Sequence, residues 1–373
     1  MTLVIVIVSV LIIYLSIRVP LFSKGRVSDT LLISAGNKVF QIIFPSLLLS
    51  LVFGLRDRVG VDYPIYKEIF ENDIYESLSH TLRTSPVEWL FTSICWIIKW
   101  LNLPFYCMFI VMGFIPMIFY MAFIRNFPKQ CLLCTYFLFA CGVIFWYFNI
   151  MRQGVAFFIL LYSCKFIISK DFCKYLLFVI IAAGFHSSSY IFIIFYIFSK
   201  KENIISSRIA LVIYILTWVL SSLFLDTFFE RFNSALLVGT GYAKYINNIS
   251  TWTMGGGLGL GVLSLHLVDI SIIAISKIIY SKSKSYRIDL FYKIYFIGTC
   301  ISNLAGNNMI LSRIPFCMVS MRFFIAGYLC SYIQKNWEVL SYLDRICGLS
   351  IILFSSAYLL GNIIYTQYAF ILP

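Results

Sequence analysis

Charge is scarce in this chain, and the scarcity excludes a soluble protein. Only 12% of the 373 residues are Asp, Glu, Lys or Arg, while 61% are hydrophobic. A soluble domain has to cover its surface with polar groups, which this composition does not supply. There is no Gly-Lys-Ser/Thr phosphate loop, so nothing points to a soluble nucleotide site. There is no Asp-x-Asp pair to seat a divalent ion, and we expect neither a metal site nor a cofactor. Paired cysteine spacing is also missing. The one C-x-x-C, Cys131 to Cys134, opens an apolar run, where packing thiols are expected rather than metal or redox chemistry. No internal repeat and no soluble domain interrupts the chain, which we read as one integral-membrane unit over residues 1–373.

What the chain has instead is a series of apolar runs of about 16 to 21 residues, close to the ~20 that span a bilayer as helix. They begin near residues 2, 39, 104, 131, 154, 209, 257, 290, 314 and 346. Met1 to Ile17 lacks the basic start and small-residue cleavage site of a signal peptide, so it reads as the first membrane helix. Between Lys174 and Lys200 the apolar stretch is interrupted by Gly184-Phe185-His186-Ser187-Ser188-Ser189, and a broken helical hairpin over 174–200, turning at His186, is expected. Residues 86–103 hold three tryptophans and two charges in too few residues to cross, which predicts an interfacial helix. The expected fold is an all-α polytopic membrane protein of about 12 transmembrane helices.

The formal net charge of +13 does not indicate nucleic acid, because the Lys and Arg sit in short loops between apolar runs rather than along an aromatic-studded stripe. Basic loops mark the cytoplasmic side. Anchoring Lys277, Lys282, Lys284 and Arg287 there places residues 56–85 and 226–256 outside as extracytoplasmic loops, together with Arg152, His186 and the turn before Arg313.

The chemistry is expected where polar side chains break this pattern. Phe53 to Tyr66 carries Arg56, Arg58, Asp62 and Tyr66 at the end of an apolar segment. Asn149-Ile-Met-Arg152-Gln153-Gly154 interrupts two apolar runs. Arginine at the membrane edge is costly unless paired, and its planar fork grips phosphate oxygens; the competing reading is an anchor paired with Asp57, Asp62 or Glu88. His186, with an unperturbed pKa of about 6.5, suits a general base, and Asp62 is the rival base or an orienting carboxylate. Tyr63, Tyr66, Tyr242, Tyr245 and Trp252 are candidate sugar-stacking rings. His266 and Asp269, three apart on one helix face, are expected to be a satisfied structural pair rather than a proton relay.

Taken in order, Leu55-Arg56, Val59-Gly60-Val61-Asp62-Tyr63 with Tyr66 to Phe70, Asn149 to Ala156, Phe185-His186-Ser187-Ser188 and Arg313 resemble the EpsG-like family of Wzy-type polysaccharide polymerases. One departure is Val61, where a small hydroxyl residue is expected between Gly and Asp. The resemblance implies a glycosyltransferase of the bacterial inner membrane, its active site facing the periplasm, that polymerises undecaprenyl-diphosphate-linked repeat units into O-antigen or capsule. It implies catalytic roles for His186, Asp62 and Arg152 and substrate binding by Arg56, Tyr66, Gln153 and Arg313. Implied partners are the lipid-linked glycan donor and acceptor, membrane lipids, and the pathway's chain-length regulator and flippase; no nucleic acid is involved. The alternatives are a lipid-linked oligosaccharide flippase or other transporter, and a membrane acyltransferase. A flippase should show a two-fold repeat, and acyl transfer leaves several arginines without a task. If phosphate charge is neutralised by arginine alone, polymer formation should be unchanged by EDTA; loss of activity in EDTA with recovery on adding Mg²⁺ would refute this.

Overall fold

In the computed structural model, residues 2–18, 30–56, 58–60, 62–198, 205–220, 259–282, 287–306 and 311–364 are described. All secondary structure among them is helical. This follows from the solvent the composition selects. In hydrocarbon every backbone N–H and C=O must be satisfied within its own segment, which a helix does and an open strand does not.

Among the described residues, four helices are long and apolar enough to cross a membrane: Tyr106–Ile124, Met151–Ile168, Phe316–Lys335 and Tyr342–Ile364. A fifth crossing is formed if Cys131–Ala140 and Val143–Asn149, bent by 48°, are one broken span. The expected twelve are therefore not reached among the described residues. The run expected to begin near 257 forms, among the described residues, the 15-residue helix Leu260–Ala274. The run expected to begin near 131 bends at Cys141-Gly142, where Gly142 takes φ +77° and ends its first half. Residues 226–256, with Tyr242, Tyr245 and Trp252, lie outside the described residues.

Residues 56–85, expected as a loop, contain the helices Tyr63–Asn72 and Leu78–Thr84. Within 86–103 the helix is Trp89–Trp100, 12 residues long. At 1.5 Å per residue that is about 18 Å, short of a hydrocarbon core of about 30 Å. Between Lys174 and Lys200 the chain turns at Gly184–His186, continues as a 3₁₀ turn over Ser187–Phe192, and ends in Ile193–Phe198. The two arms pack on each other: the Tyr175 hydroxyl donates to the Phe192 carbonyl at 2.5 Å, and its ring stacks on Tyr196.

The core sits on Met151–Ile168 and Phe316–Lys335, each 72% buried over its apolar window, whereas Tyr342–Ile364 is 28% buried and presents Leu349, Leu353 and Leu360 outward. Between apolar helices in lipid, attraction depends on close packing, so small residues mark the crossings. A Cβ on Gly327 would stand 2.6 Å from the Cys134 Cα, so the helices Cys131–Ala140 and Arg322–Lys335 touch there almost backbone to backbone. All eleven cysteines are free thiols, and Cys131 and Cys134 are fully buried in this packing. Gly327→Ala should push the two helices apart at a cost of about 1–3 kcal/mol, read as a lowered melting temperature of the detergent-purified protein. An unchanged melting temperature would show that this crossing carries little of the stability.

Candidate functional site

Two chain breaks meet at the start of the Trp89 helix. The first amides of any helix have no partner within it. Here the Gly184 carbonyl accepts from the amides of Leu90 (2.9 Å) and Phe91 (3.3 Å), so the 184–186 turn caps this helix. A side chain at 184 would strike Leu90 Cβ at 2.8 Å, which is why the turn begins with glycine.

That docking puts Glu88, the residue before the helix, against His186. The Glu88 carboxylate accepts from the His186 ring Nδ1 at 3.1 Å, from the Ser187 amide at 3.1 Å, and from Arg152 Nη1. Arg152 opens the Met151–Ile168 helix, and its guanidinium lies 5.9 Å from the Phe91 ring centre, with Tyr66 against it. Arg152 Nε is buried without a partner among the described residues. Glu88 thus joins three segments, and in the sequence it stands out only as one acid among possible arginine partners.

The neighbouring Gln153 reaches the other way. Its side-chain amide donates to the Arg313 carbonyl and, at 3.4 Å, to Ser188 Oγ. Gln153 therefore holds the backbone that carries Arg313. Arg313 and Asp62 are half-buried and line a cavity of about 1180 Å³, together with Asn149 and Ile150. Asp62 is placed there by the turn at Gly60, whose φ of +99° and 2.4 Å approach of a virtual Cβ to the Phe148 carbonyl admit only glycine.

Six of the seven expected site residues form one continuous polar patch beside this cavity: Asp62, Tyr66, Arg152, Gln153, His186 and Arg313. Of these only Asp62 and Arg313 line the cavity itself. Arg56 sits apart, 3% exposed, with its guanidinium 4.7 Å from the Phe148 ring centre, 5.0 Å from Phe109 and 5.7 Å from Tyr147. Its Nη2 reaches Met151 Sδ at 3.5 Å, while Nε and Nη1 have no partner among the described residues. It braces the aromatic floor under the patch through cation–π contacts.

A second polar cluster was visible in sequence only in part. His266 and Asp269 do not bond each other; both bond Tyr214 from the Ser207–Leu220 helix, and Asp269 is gripped by Arg322. Arg322 is hidden in the sequence because apolar residues flank it on both sides.

The electrostatics separate the two candidate bases. Burial raises the Asp62 carboxyl above its usual range, against the opposing pull of Arg313 and Arg152. Burial also dominates at His186, in the turn outside the helices, and with Arg152 and Arg313 nearby it lowers the imidazole to about 3. The ring is then neutral, and because a carboxylate only accepts, Nδ1 carries the proton shared with Glu88. Nε2 is left as the acceptor, the form a general base requires.

The EpsG family model matches residues 39–373. No curated protein and no solved structure matches the chain.

The depressed His186 value has a sign that is open to measurement. Burial and two cations penalise the charged ring, so the folded protein takes up this proton only near pH 3, whereas an unfolded imidazole takes it up near about 6.5. Ring-labelled NMR should show His186 unchanged from pH 8 to 5, and stability should decline as pH falls below about 6.5. A His186 midpoint near 6 would mean that the Glu88 charge outweighs burial.

Proposed function

The chain belongs to the EpsG family of Wzy-type polysaccharide polymerase-like membrane proteins, and from that premise we propose that it joins lipid-linked glycan repeat units into a long polysaccharide. The donor in this reading is a growing glycan on undecaprenyl diphosphate, and the acceptor is the terminal sugar of a second lipid-linked unit. The positive-inside pattern supports a reaction at the periplasmic face of a bacterial inner membrane, and the 12 residues of the Trp89–Trp100 helix, too few to cross, suit an interfacial helix. The pathway's flippase and chain-length regulator are the protein partners this implies.

The observation that carries the reading is the Glu88–His186 pair with Arg152, set beside a cavity faced by Arg313 and Asp62. Polymerisation needs a base for an acceptor hydroxyl and cations for a departing diphosphate. His186 Nε2 takes the hydroxyl proton as the acceptor oxygen bonds to the donor's anomeric carbon. The anomeric carbon–oxygen bond to phosphate breaks, and the diphosphate leaves with the electron pair, its charge met by Arg313 and Arg152. Glu88 keeps Nδ1 protonated and holds the imidazolium that forms, a positioning task analogous to the acid of a hydrolase triad. Asp62, beside Arg313, orients the acceptor.

Losing one well-placed charge stabiliser costs about 10²- to 10³-fold in rate. Arg152→Ala and Arg313→Ala should therefore reduce long polymer to near nothing at wild-type membrane levels. Glu88→Gln, which leaves the side-chain volume and an acceptor oxygen, should do the same by removing the negative charge that holds Arg152 and the imidazolium formed at His186. The readout is the lipid-linked pool: single repeat units should accumulate on the periplasmic leaflet. Normal ladders in Arg152→Ala at equal expression would sink the leaving-group role. Units retained on the cytoplasmic leaflet would indicate a flippase, and full-length ladders lacking acyl groups an acyltransferase.

A further inference from the structure

The cavity has a second end that the proposed reaction does not use. Asp269, 2% exposed, receives Arg322 as a two-pronged fork, Nε to Oδ1 at 2.6 Å and Nη2 to Oδ2 at 2.8 Å. Tyr295 donates to Oδ1 at 2.6 Å and Tyr214 to Oδ2 at 3.2 Å. Four donors meet the carboxylate's two oxygens, and Arg322 cancels its charge. Tyr214 has one proton and gives it to Asp269, so its oxygen accepts from His266 Nδ1 at 2.7 Å. The His266 ring is held flat against Trp218, with centres 4.6 Å apart at 22°. His266 lines the cavity, and with Nδ1 committed to Tyr214, Nε2 is left as an acceptor for whatever occupies it. Tyr358 and Trp146, which share a 3.3 Å hydrogen bond, line the same cavity with aromatic surface.

We propose that this end, built on His266 and set by the Tyr214–Asp269–Arg322 chain, is a saccharide-binding subsite in which His266 Nε2 accepts a hydrogen bond from a sugar hydroxyl. The charge balance selects the ligand class. Among the described residues Asp269 and Arg322 here are paired with each other and leave no charge for a phosphate, whereas an oriented acceptor beside aromatic rings suits a neutral, hydroxyl-rich group. The Arg313 and Asp62 end of the same cavity is the charged one. A cavity of about 1180 Å³ exceeds the roughly 300–1,000 Å³ of pockets for drug-sized ligands and has room for several sugar rings. Identification of the ligand as a glycan rests on the polymerase reading; the geometry of the subsite does not.

The test uses the full-length protein in detergent, carbethoxylated with diethylpyrocarbonate and read at His266 by mass spectrometry. The probes are the repeat-unit oligosaccharide cut from the host cell's own polysaccharide and, separately, inorganic diphosphate. We expect His266 to react in the free protein and to be slowed about tenfold by oligosaccharide at ~10 times its Kd, the free fraction simple occupancy leaves. Diphosphate should not slow it. Tyr214→Phe, which unties Nδ1, should weaken protection by the oligosaccharide. An unreactive His266, equal protection by diphosphate, or no protection by the oligosaccharide would each overturn the subsite. Protection together with normal ladders in cells lacking this chain keeps the subsite and removes the polymerase reading. No protection together with lost ladders does the reverse.

Discussion

The site depends on one carboxylate. Glu88 is the single acceptor shared by Arg152, the His186 ring and the Ser187 amide. None of these groups is comfortable alone in an apolar setting: a buried arginine without an anion costs several kcal/mol, and so does the anion. Together they satisfy one another, and three segments far apart in the chain are held in register. The reciprocal contact, in which the Gly184 carbonyl caps the helix that Glu88 precedes, makes the arrangement structural as well as electrostatic. A change at residue 88 therefore disturbs a helix start, an arginine and a histidine tautomer at once.

The same principle organises the rest of the cavity. Where charge is deep, it is matched: Asp269 with Arg322 at one end, Glu88 with Arg152 beside the other. Arg56 is the exception, sheltered among ring faces and a thioether instead of an anion. Asp62 and Arg313 are different, since they are half-buried and face the open volume. Charges that the fold needs are consumed by the fold, and charges left facing a cavity are those a ligand meets. On this ground the proposed reaction would use Arg313 as the more direct phosphate contact, with Arg152 behind it.

Much of this was legible in the sequence, for identifiable reasons. An all-helical membrane class follows from composition, because hydrocarbon leaves the backbone few options. The polar interruptions at 149–153 and 184–189 were legible because every polar side chain in such a chain is conspicuous. The bend at 142 was not, since hydropathy registers an apolar run but not the left-handed glycine that breaks it. Glu88 was visible only as a possible counter-ion, because its role arises from the docking of two turns about 100 residues apart. Arg322 escaped notice because a single charge between Met321 and Phe323 leaves a hydropathy window apolar. His266 and Asp269 were read correctly as sharing a face, yet the tyrosine that links them comes from another helix.

The distribution of charge along the cavity also constrains how a chain-building reaction would run there. A lipid-linked glycan has a diphosphate at one end and neutral sugars at the other, so an anion-seeking end and a neutral end in one cavity orient it without reading its sugars. In the proposed reaction the diphosphate would be drawn to Arg313, and the sugars would extend toward His266 and the rings of Trp146 and Tyr358, which line the same cavity. Orientation by charge is indifferent to which sugars are joined. If the proposed reaction runs there, specificity for the repeat unit comes from the neutral end, where hydroxyl geometry meets the His266 acceptor held by Tyr214.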